Sequence, residues 1–163
     1  MIIRRYRPSD QGAVIALFRE FMWELAPPSL GGEFQAYIER AIGEELGRIE
    51  EYYFKRPDQG FWVAETGAVI GMVGIERCDA DTAELRRMAV ARAQRKKGVG
   101  RALLATAEAF CVKHGYRKLV LWTQSNLLEA RRIYQACGFR LKKKERHQTF
   151  GVKLVGEYWE LVL

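Results

Sequence analysis

Apolar residues recur at two different spacings along this chain, and these spacings predict alternating helices and strands. Residues 14–21 place large apolar side chains at helical spacing after a helix-start signal at 8–10, which predicts a first helix. A second amphipathic helix is predicted from 34 to about 53. The proline- and glycine-rich segment 27–32 predicts a loop between the two helices.

Short apolar runs between turn signals predict the strands of a sheet. The predicted strands cover 2–7, 61–64, 69–75, 84–90, 118–123, 139–144 and 158–163. Two later helices are predicted, one that begins after Gly98 and stops at Gly115 and one over 127–137. Because helices and strands alternate without repeats or a low-complexity linker, we expect one α/β domain over residues 1–163.

The predicted strand 84–90 has an irregular pattern that favours a β-bulge. Strict alternation would point Leu85 to one face and Met88 and Val90 to the other, although all three are core residue types. One extra residue near Arg86-Arg87 would bring them to the same face, and it would leave backbone N–H groups free to bind a ligand. A flat strand with one exposed apolar side chain fits the pattern nearly as well.

Composition limits the classes of function. With 163 residues and 48% hydrophobic residues, the chain can bury a core without disulfides or a structural metal. No apolar run is long enough to span a bilayer, and the first residues lack the apolar stretch of a signal peptide. Cys78, Cys111 and Cys137 form no C-x-x-C pair, which argues against a zinc site. We therefore expect a cytoplasmic location and no membrane partner.

Charge is distributed unevenly along the chain. The net charge is +7, but residues 1–84 hold nine basic and fifteen acidic side chains, whereas residues 85–163 hold eighteen basic and five acidic ones. The asymmetry suggests an anionic ligand for the second half and a cationic ligand for the first. Nucleic acid is another candidate anion, and a solvated basic face without a ligand explains the charge equally well.

A turn rich in glycine and cations follows the predicted bulge strand. Gln94-Arg95-Lys96-Lys97-Gly98-Val99-Gly100-Arg101 links that strand to the next helix. Glycines let backbone N–H groups approach a bound anion, and a helix N-terminus adds positive partial charge. The glycine spacing matches neither a Walker A loop nor a Rossmann fingerprint. An ordinary tight turn could show the same pattern, so the turn alone does not identify a function.

In its context this turn resembles motif A of the GCN5-related N-acetyltransferase (GNAT) family, in which R-x-x-G-x-G opens an amphipathic helix. The segment from Asn126 through Tyr134 to Gly138-Phe139 looks like that family's second signature. The tail 147–159 resembles that of a bacterial subgroup. Two residues depart from the usual motif, since Arg92 and Lys96 stand where proline and glycine are common.

The resemblance implies an α/β fold with a single mixed twisted sheet of about six to seven strands. The sheet would be splayed between two central parallel strands and flanked by about four helices. Acetyl-CoA would lie as the co-substrate in the gap between the strands 84–90 and 118–123, and no metal is implied. Backbone groups of Met88, Ala89 and Val90 would bind the pantetheine arm, which Asn126 and Tyr134 would also contact. The pyrophosphate would be held by Arg95, Lys96, Lys97, Gly98, Val99, Gly100 and Arg101.

The resemblance also implies two catalytic residues. Tyr134 would give a proton to the departing CoA thiolate. Glu84 would take a proton from the attacking amine, directly or through a water, because an alkyl ammonium with a pKa of about 10.4 must first lose one. The alternative roles are a core aromatic for Tyr134 and an ion pair with Arg86 or Arg87 for Glu84. His147 is a lesser candidate, either for contact with the acceptor or as the base, because a lone histidine in a basic loop is usually solvated.

We therefore expect an acetyl-CoA-dependent N-acetyltransferase that acts on a primary amine of a small molecule by direct attack in a ternary complex. A protein or peptide N-acetyltransferase is the alternative. A nucleic-acid-binding module and a non-catalytic acyl-CoA sensor are less favoured. We expect no nucleic-acid partner, and a homodimer is compatible with such folds.

The acidic first half predicts a cationic acceptor, such as a polyamine or a basic amino acid. Trp23 and Tyr37 could form an aromatic wall for that cation. The field that would attract the cation comes from Glu20, Glu24, Glu33, Glu39, Glu44, Glu45, Glu50 and Glu51.

Overall fold

Seven strands form one mixed sheet in the computed structural model, which describes residues 1–26, 31–149 and 151–163. Most of the predicted loop between the first two helices, residues 27–30, and Phe150 lie outside the described residues. The strands are β1 (Ile2–Arg5), β2 (Gly60–Glu65), β3 (Val69–Arg77), β4 (Thr82–Val90), β5 (Lys118–Gln124), β6 (Arg140–Thr149) and β7 (Val152–Val162). Their order in the sheet is β1-β2-β3-β4-β5-β7-β6, and the β4–β5 pair is parallel.

Helices cover the sheet on both faces. The α-helices are α1 (Gln11–Leu25), α2 (Gly32–Glu44), α3 (Ile49–Tyr53), α4 (Val99–Lys113) and α5 (Leu128–Ala136). Buried residues of α1, α2 and α3 form one core with one face of β2 and β3. Those of α4 and α5 form the second core with the opposite face. The expected fold class, a mixed sheet with about four substantial helices, is confirmed.

The second predicted helix is interrupted rather than continuous from 34 to 53. It divides into α2, a 3-10 turn at Leu46–Arg48 and α3. A side chain on Gly47 would bring its Cβ to 2.9 Å from the carbonyl oxygen of Ile42, so the chain can fold back tightly here because this residue is glycine. The break turns Glu45, which directly follows α2, into the protein, where it is 3% exposed.

The sheet is split at its centre, as the resemblance implied. Strands β4 and β5 pair over three residues, from Thr82↔Lys118 to Glu84↔Val120. Beyond that point they diverge, and β5 continues along β7 on its other side. The unpaired inner edges of β4 and β5 therefore form the two sides of a cleft.

The bulge predicted in β4 is confirmed. Met72 of β3 lies opposite Ala89, whereas Gly74 lies opposite Arg86, so β4 contains one residue more than β3 between these two pairs. Arg87 sits in this bulge with φ at +51°, a left-handed conformation that is uncommon for a residue other than glycine. Leu85 consequently belongs to the same core as Met88 and Val90.

Candidate active site

The gap between β4 and β5 opens into a cleft of about 870 Å³. One end is bounded by the turn before α4 and by the start of α5. The other end is bounded by an apolar wall of α1 and α2, including Phe18, Phe21 and Tyr37, and by His147 of β6. We call these the α4 end and the α1 end of the cleft. Among the predicted site residues, the cleft is lined by Met88, Ala89, Val90, Arg95, Lys96, Gly100, Asn126 and Tyr134.

The remaining predicted site residues lie outside this lining. Lys97, Gly98, Val99 and Arg101 belong to the turn and the first residues of α4, immediately beside the lining residues of the same turn. Glu84 lies at the last β4–β5 pair, where the two strands are still joined. The structure therefore brings the predicted binding residues together around one cleft but sets Glu84 back from it.

The turn before α4 is shaped for a close approach of backbone to a ligand. Gly98 is the residue before the helix and has φ at +85°, which glycine adopts without steric cost. Gly100 is buried, and a Cβ there would come within 3.3 Å of both Ile133 and Met88. The helix N-terminus thus lies directly against the strand and α5, with N–H groups of its first turn available to an anion.

Cationic side chains of the turn differ in how they are paired. Arg95 donates from Nε to the carbonyl oxygen of Val90 at 3.1 Å and forms an ion pair with Glu24 of α1. Lys96 lies 3.3 Å from Glu129, but both side chains are mostly exposed, so the contact is weak. In the described part of the chain Arg101 has no ion-pair partner. The α4 end therefore presents positive charge that is only partly compensated.

Tyr134 of α5 lines the cleft and is 7% exposed. Its ring packs against Phe139, with 5.8 Å between the ring centroids. Burial raises the pKa of Tyr134 to about 12, so the hydroxyl keeps its proton at neutral pH. No described residue forms a hydrogen bond with that hydroxyl, which leaves it able to donate to a ligand.

The other wall, at β4, rests on a buried network of charges. Glu45 Oε2 accepts hydrogen bonds from Arg87 Nη2 at 2.6 Å and Nε at 2.9 Å, and from Arg86 Nη2 at 2.8 Å. The hydroxyl of buried Tyr53 donates to the other oxygen of Glu45. Burial alone would raise the pKa of Glu45, but the hydrogen bond from Arg87 and the charges of Arg87 and Arg86 hold it below its usual value.

Glu84 belongs to the outer part of the same network. Its carboxylate lies 3.9 Å from Nη1 of Arg86, which also contacts Glu76 at 2.9 Å. Burial raises the pKa of Glu84 above its usual value, with Arg86 acting in the opposite sense. A carboxylate with a raised pKa is a stronger proton acceptor, but its set-back position would require a water between it and a ligand.

The carboxylates on which the cationic-acceptor prediction depends all lie outside the cleft lining. Several are also bound to arginine: Glu24 to Arg95, Glu39 to Arg19, Glu51 to Arg48, and Glu45 to Arg86 and Arg87. Of the two predicted aromatic residues, Tyr37 lines the cleft, whereas Trp23 packs against Phe34 outside the lining. Within the cleft, the acidic surplus of the first half therefore gives little support to the prediction of a cationic acceptor.

Sequence reasoning missed two residues that organise the cleft walls. Glu45 was counted among the helix carboxylates, although the two glycines around it, Gly43 and Gly47, signal a break in the helix. Glu157 of β7 is fully buried and accepts hydrogen bonds from Arg131 of α5 at 2.9 Å and from the indole of Trp159 at 3.1 Å. It ties α5, which carries Tyr134, to β7.

Two features are absent from the described ranges of the chain. No helix there combines the length and the apolar character needed to cross a membrane. No group of three or more His, Cys, Asp or Glu residues in those ranges is arranged to hold a metal ion.

Comparison with known proteins gives consistent matches. Residues 19–139 match the model of the acetyltransferase (GNAT) family. Human N-acetylaspartate synthetase is 39% identical over 108 residues, which cover 65% of this chain and 36% of that protein. Rat N-acetyltransferase 8B is 29% identical over 136 residues, covering 78% of this chain and 60% of that protein. The chain thus spans little more than a third of the synthetase and less than two thirds of the second relative.

Solved structures share the whole fold at low sequence identity. An acetyltransferase from Streptococcus agalactiae superposes with a TM-score of 0.78 at 20% identity and covers 99% of this chain and 98% of its own. An acetyltransferase from Salmonella typhimurium, determined with its cofactor acetyl-CoA, has a TM-score of 0.71 at 18% identity, with coverages of 99% and 92%.

Proposed function

Because this chain belongs to the GNAT family of acetyltransferases, we propose that it transfers the acetyl group of acetyl-CoA directly to the primary amine of a small molecule. The observation that carries the proposal is the split between β4 and β5, with the helix-opening turn at one end of the cleft and the Tyr134 hydroxyl in its wall. A protein or peptide acceptor is less favoured, because the relatives named N-acetylaspartate synthetase have a name that specifies a small acceptor.

The residues present fit acetyl-CoA. Among the described residues, the inner edge of β4 after the bulge, at Met88–Val90, pairs with no strand on the β5 side, so its backbone groups are available to an extended ligand. The first N–H groups of α4 and the partly compensated cations of the turn suit its phosphates. Asn126 lines the cleft at the start of α5. When bound, acetyl-CoA supplies the thioester that an amine attacks.

The proposed reaction forms a bond between the amine nitrogen and the acetyl carbon and breaks the carbon–sulfur bond. Tyr134 gives its hydroxyl proton to the departing sulfur, which is consistent with a hydroxyl that is protonated at neutral pH. Glu84, acting through a water, receives the proton that the nitrogen loses. The backbone N–H of Met88 in the bulge is the proposed donor to the carbonyl oxygen as negative charge develops on it.

Release of free CoA from acetyl-CoA in the presence of a panel of primary amines tests this function. We expect CoA release that depends on the amine, together with the acetylated product by mass spectrometry. Acetyl-CoA hydrolysis that no amine accelerates would contradict the proposal. The panel should include amino acids, alkylamines, polyamines and a lysine-containing peptide.

Replacing Tyr134 with Phe tests the proton donor. The ring and its contact with Phe139 remain, so the affinity for acetyl-CoA should stay nearly unchanged while kcat falls about 100-fold or more. Tyr116→Phe is a matched control, because that hydroxyl donates to Asp58 away from the cleft. Equal kcat for the Tyr134→Phe variant and the wild type, measured where chemistry limits the rate, would assign Tyr134 to the core alone.

Several finer expectations stay predictions. These are the bacterial subgroup, the cytoplasmic location, a single domain over residues 1–163, a homodimer, and the absence of a metal and of a nucleic-acid partner. The curated relatives described above are mammalian and the solved structures bacterial, so the matches do not favour one origin.

A further inference from the structure

We propose that Arg87 binds a carboxylate of the acceptor, so that the preferred substrates are primary amines that also carry a carboxylate. This inference rests on the proposed function and names the substrate class for the same cleft. It replaces the cationic acceptor predicted from the acidic first half, whose carboxylates lie outside the cleft lining.

The side chain of Arg87 is held firmly at the α1 end of the cleft. Its Nε and Nη2 both donate to the buried Oε2 of Glu45, and its guanidinium lies 5.4 Å from the ring centroid of Phe18. The bulge gives the residue its backbone conformation, with φ at +51°. Such strain is retained where surrounding contacts enforce it, and it is often found at functional sites. A guanidinium fixed in this way loses little entropy when it binds a ligand.

One nitrogen of this guanidinium remains available. Among the described residues Nη1 of Arg87 has no hydrogen-bond partner, and the side chain lines the cleft. Arg86, the preceding residue, provides a contrast: its Nη2 is bound by Glu45 at 2.8 Å and its Nη1 contacts Glu76 at 2.9 Å, and it lies outside the lining. Both terminal nitrogens of Arg86 are therefore bound by carboxylates of the network, whereas Arg87 keeps one nitrogen for a ligand in the cleft.

Among the described residues, the other charges around the cleft give Arg87 no competing anion besides Glu45. The carboxylates in the described lining are Glu129 and Glu145, which are paired with Lys96 and Lys143. His147, two residues after Glu145 in β6, also lines the cleft. Around this polar spot, Phe18, Phe21 and Met22 form an apolar wall, which would strengthen a charge-assisted hydrogen bond by excluding water.

The test compares amines that differ by one carboxylate. Each amino acid is assayed with the amine that remains after its decarboxylation, for example leucine with isopentylamine and aspartate with β-alanine. The wild type should favour the member with the additional carboxylate by about tenfold or more in kcat/KM, as expected for one charge-assisted hydrogen bond. Lysine and cadaverine extend the comparison to cationic acceptors.

Arg87→Met should reduce this preference by about tenfold or more, chiefly through KM of the acceptor, while the KM of acetyl-CoA changes less than about twofold. Arg86→Met is the matched control, because it also removes an arginine from Glu45 and should leave the preference intact. Arg87→Lys, which keeps the charge, should restore part of the preference and serves if Arg87→Met does not fold.

Each result decides between distinct conclusions. An unchanged preference in folded Arg87 variants, or faster turnover of cadaverine than of lysine and the other amino acids by the wild type, would overturn the role of Arg87 and leave the acetyltransferase function intact. Failure of every amine to release CoA from the wild type would instead remove the proposed function, and the substrate class with it.

Discussion

The described backbone enters the left-handed region at two residues other than glycine, Arg87 in the β4 bulge and Lys96 in the turn before α4, and both line the cleft. Arg87, in the β4 bulge, is enclosed by protein and bound to buried Glu45. Lys96, in the turn before α4, has a side chain that is 82% exposed and one contact with Glu129. A similar backbone strain is therefore supported by a charge network at one end and by almost no side-chain contact at the other.

The difference indicates two ways of shaping a binding surface. At the α1 end, side chains fix the backbone, so the wall should depend on a few buried residues. At the α4 end, the backbone conformation belongs to the turn itself, and the family resemblance marks position 96 as one where glycine is common. Its side chain should therefore be replaceable without damage to the wall.

The largest expected effect is that of Glu45→Ala. The substitution leaves the guanidinium groups of Arg86 and Arg87 and the hydroxyl of Tyr53 without their common buried partner. Breaking a buried ion pair in this way costs about 3–5 kcal/mol of the free energy of unfolding. Urea unfolding measures it, and Glu51→Ala, which removes an exposed partner of Arg48, is the control with an expected loss of at most about 1 kcal/mol. A similar loss for both variants would show that the network is not what supports the bulge.

The pH dependence of the free energy of unfolding should distinguish the carboxylate at the α1 end from the one at the α4 end. The pKa of Glu45 is lower in the folded protein than its usual value of 4.5, so the unfolded chain binds more protons in the acid range. Stability from this group is full above pH 4.5 and is lost as the pH falls through the lower folded-state pKa.

Glu45→Gln should therefore flatten the acid limb of the stability curve. The substitution should not abolish the acid limb, because a hydrogen bond from Arg4 also lowers the pKa of Asp10. Glu129→Gln, at the exposed contact of Lys96, should leave the acid limb as in the wild type. An unchanged acid limb in Glu45→Gln would contradict the assigned charge state of Glu45.

The smallest expected effect is that of Lys96→Gly. Glycine relieves the left-handed strain at φ +61° but adds flexibility to the unfolded chain, so the free energy of unfolding should change by no more than about 1 kcal/mol. Acetyl-CoA should still raise the melting temperature, by slightly less at low salt because one exposed charge is lost. A loss of more than about 2 kcal/mol in the free energy of unfolding would show that the backbone at position 96, like that at the bulge, depends on the contacts of its side chain.

The parts of the site that follow from local patterns could be predicted from the sequence. The shift between Leu85 and Met88 indicated the bulge, because a strand has a strict period of two. Gly98 and Gly100 indicated the turn, and their two roles, a positive φ and a close approach to Ile133 and Met88, are both visible in the structure. The split of the sheet came from the family resemblance rather than from periodicity.

The interactions between distant residues could not be predicted in this way. Glu45 is 41 positions from Arg86 in the chain, and the glycines beside it indicate a break in the helix without indicating that its carboxylate is buried against arginine. Charge counted over half of the chain is also weak support for an acceptor prediction, since the field in a cleft depends on which carboxylates line it and which are already paired. The same applies to Glu157, whose partner Arg131 lies in α5.

The three-residue pairing of β4 with β5 also has a consequence for how the molecule assembles. On either side of that seam the strands pair in antiparallel fashion, and hairpins link β2 to β3, β3 to β4 and β6 to β7. Such local hairpins form quickly, whereas the parallel seam must close a connection that includes the whole of α4. We therefore expect the seam to form after the hairpins on either side of it. A newly synthesised chain would acquire its cleft in the same step that joins its two halves into one cooperative unit.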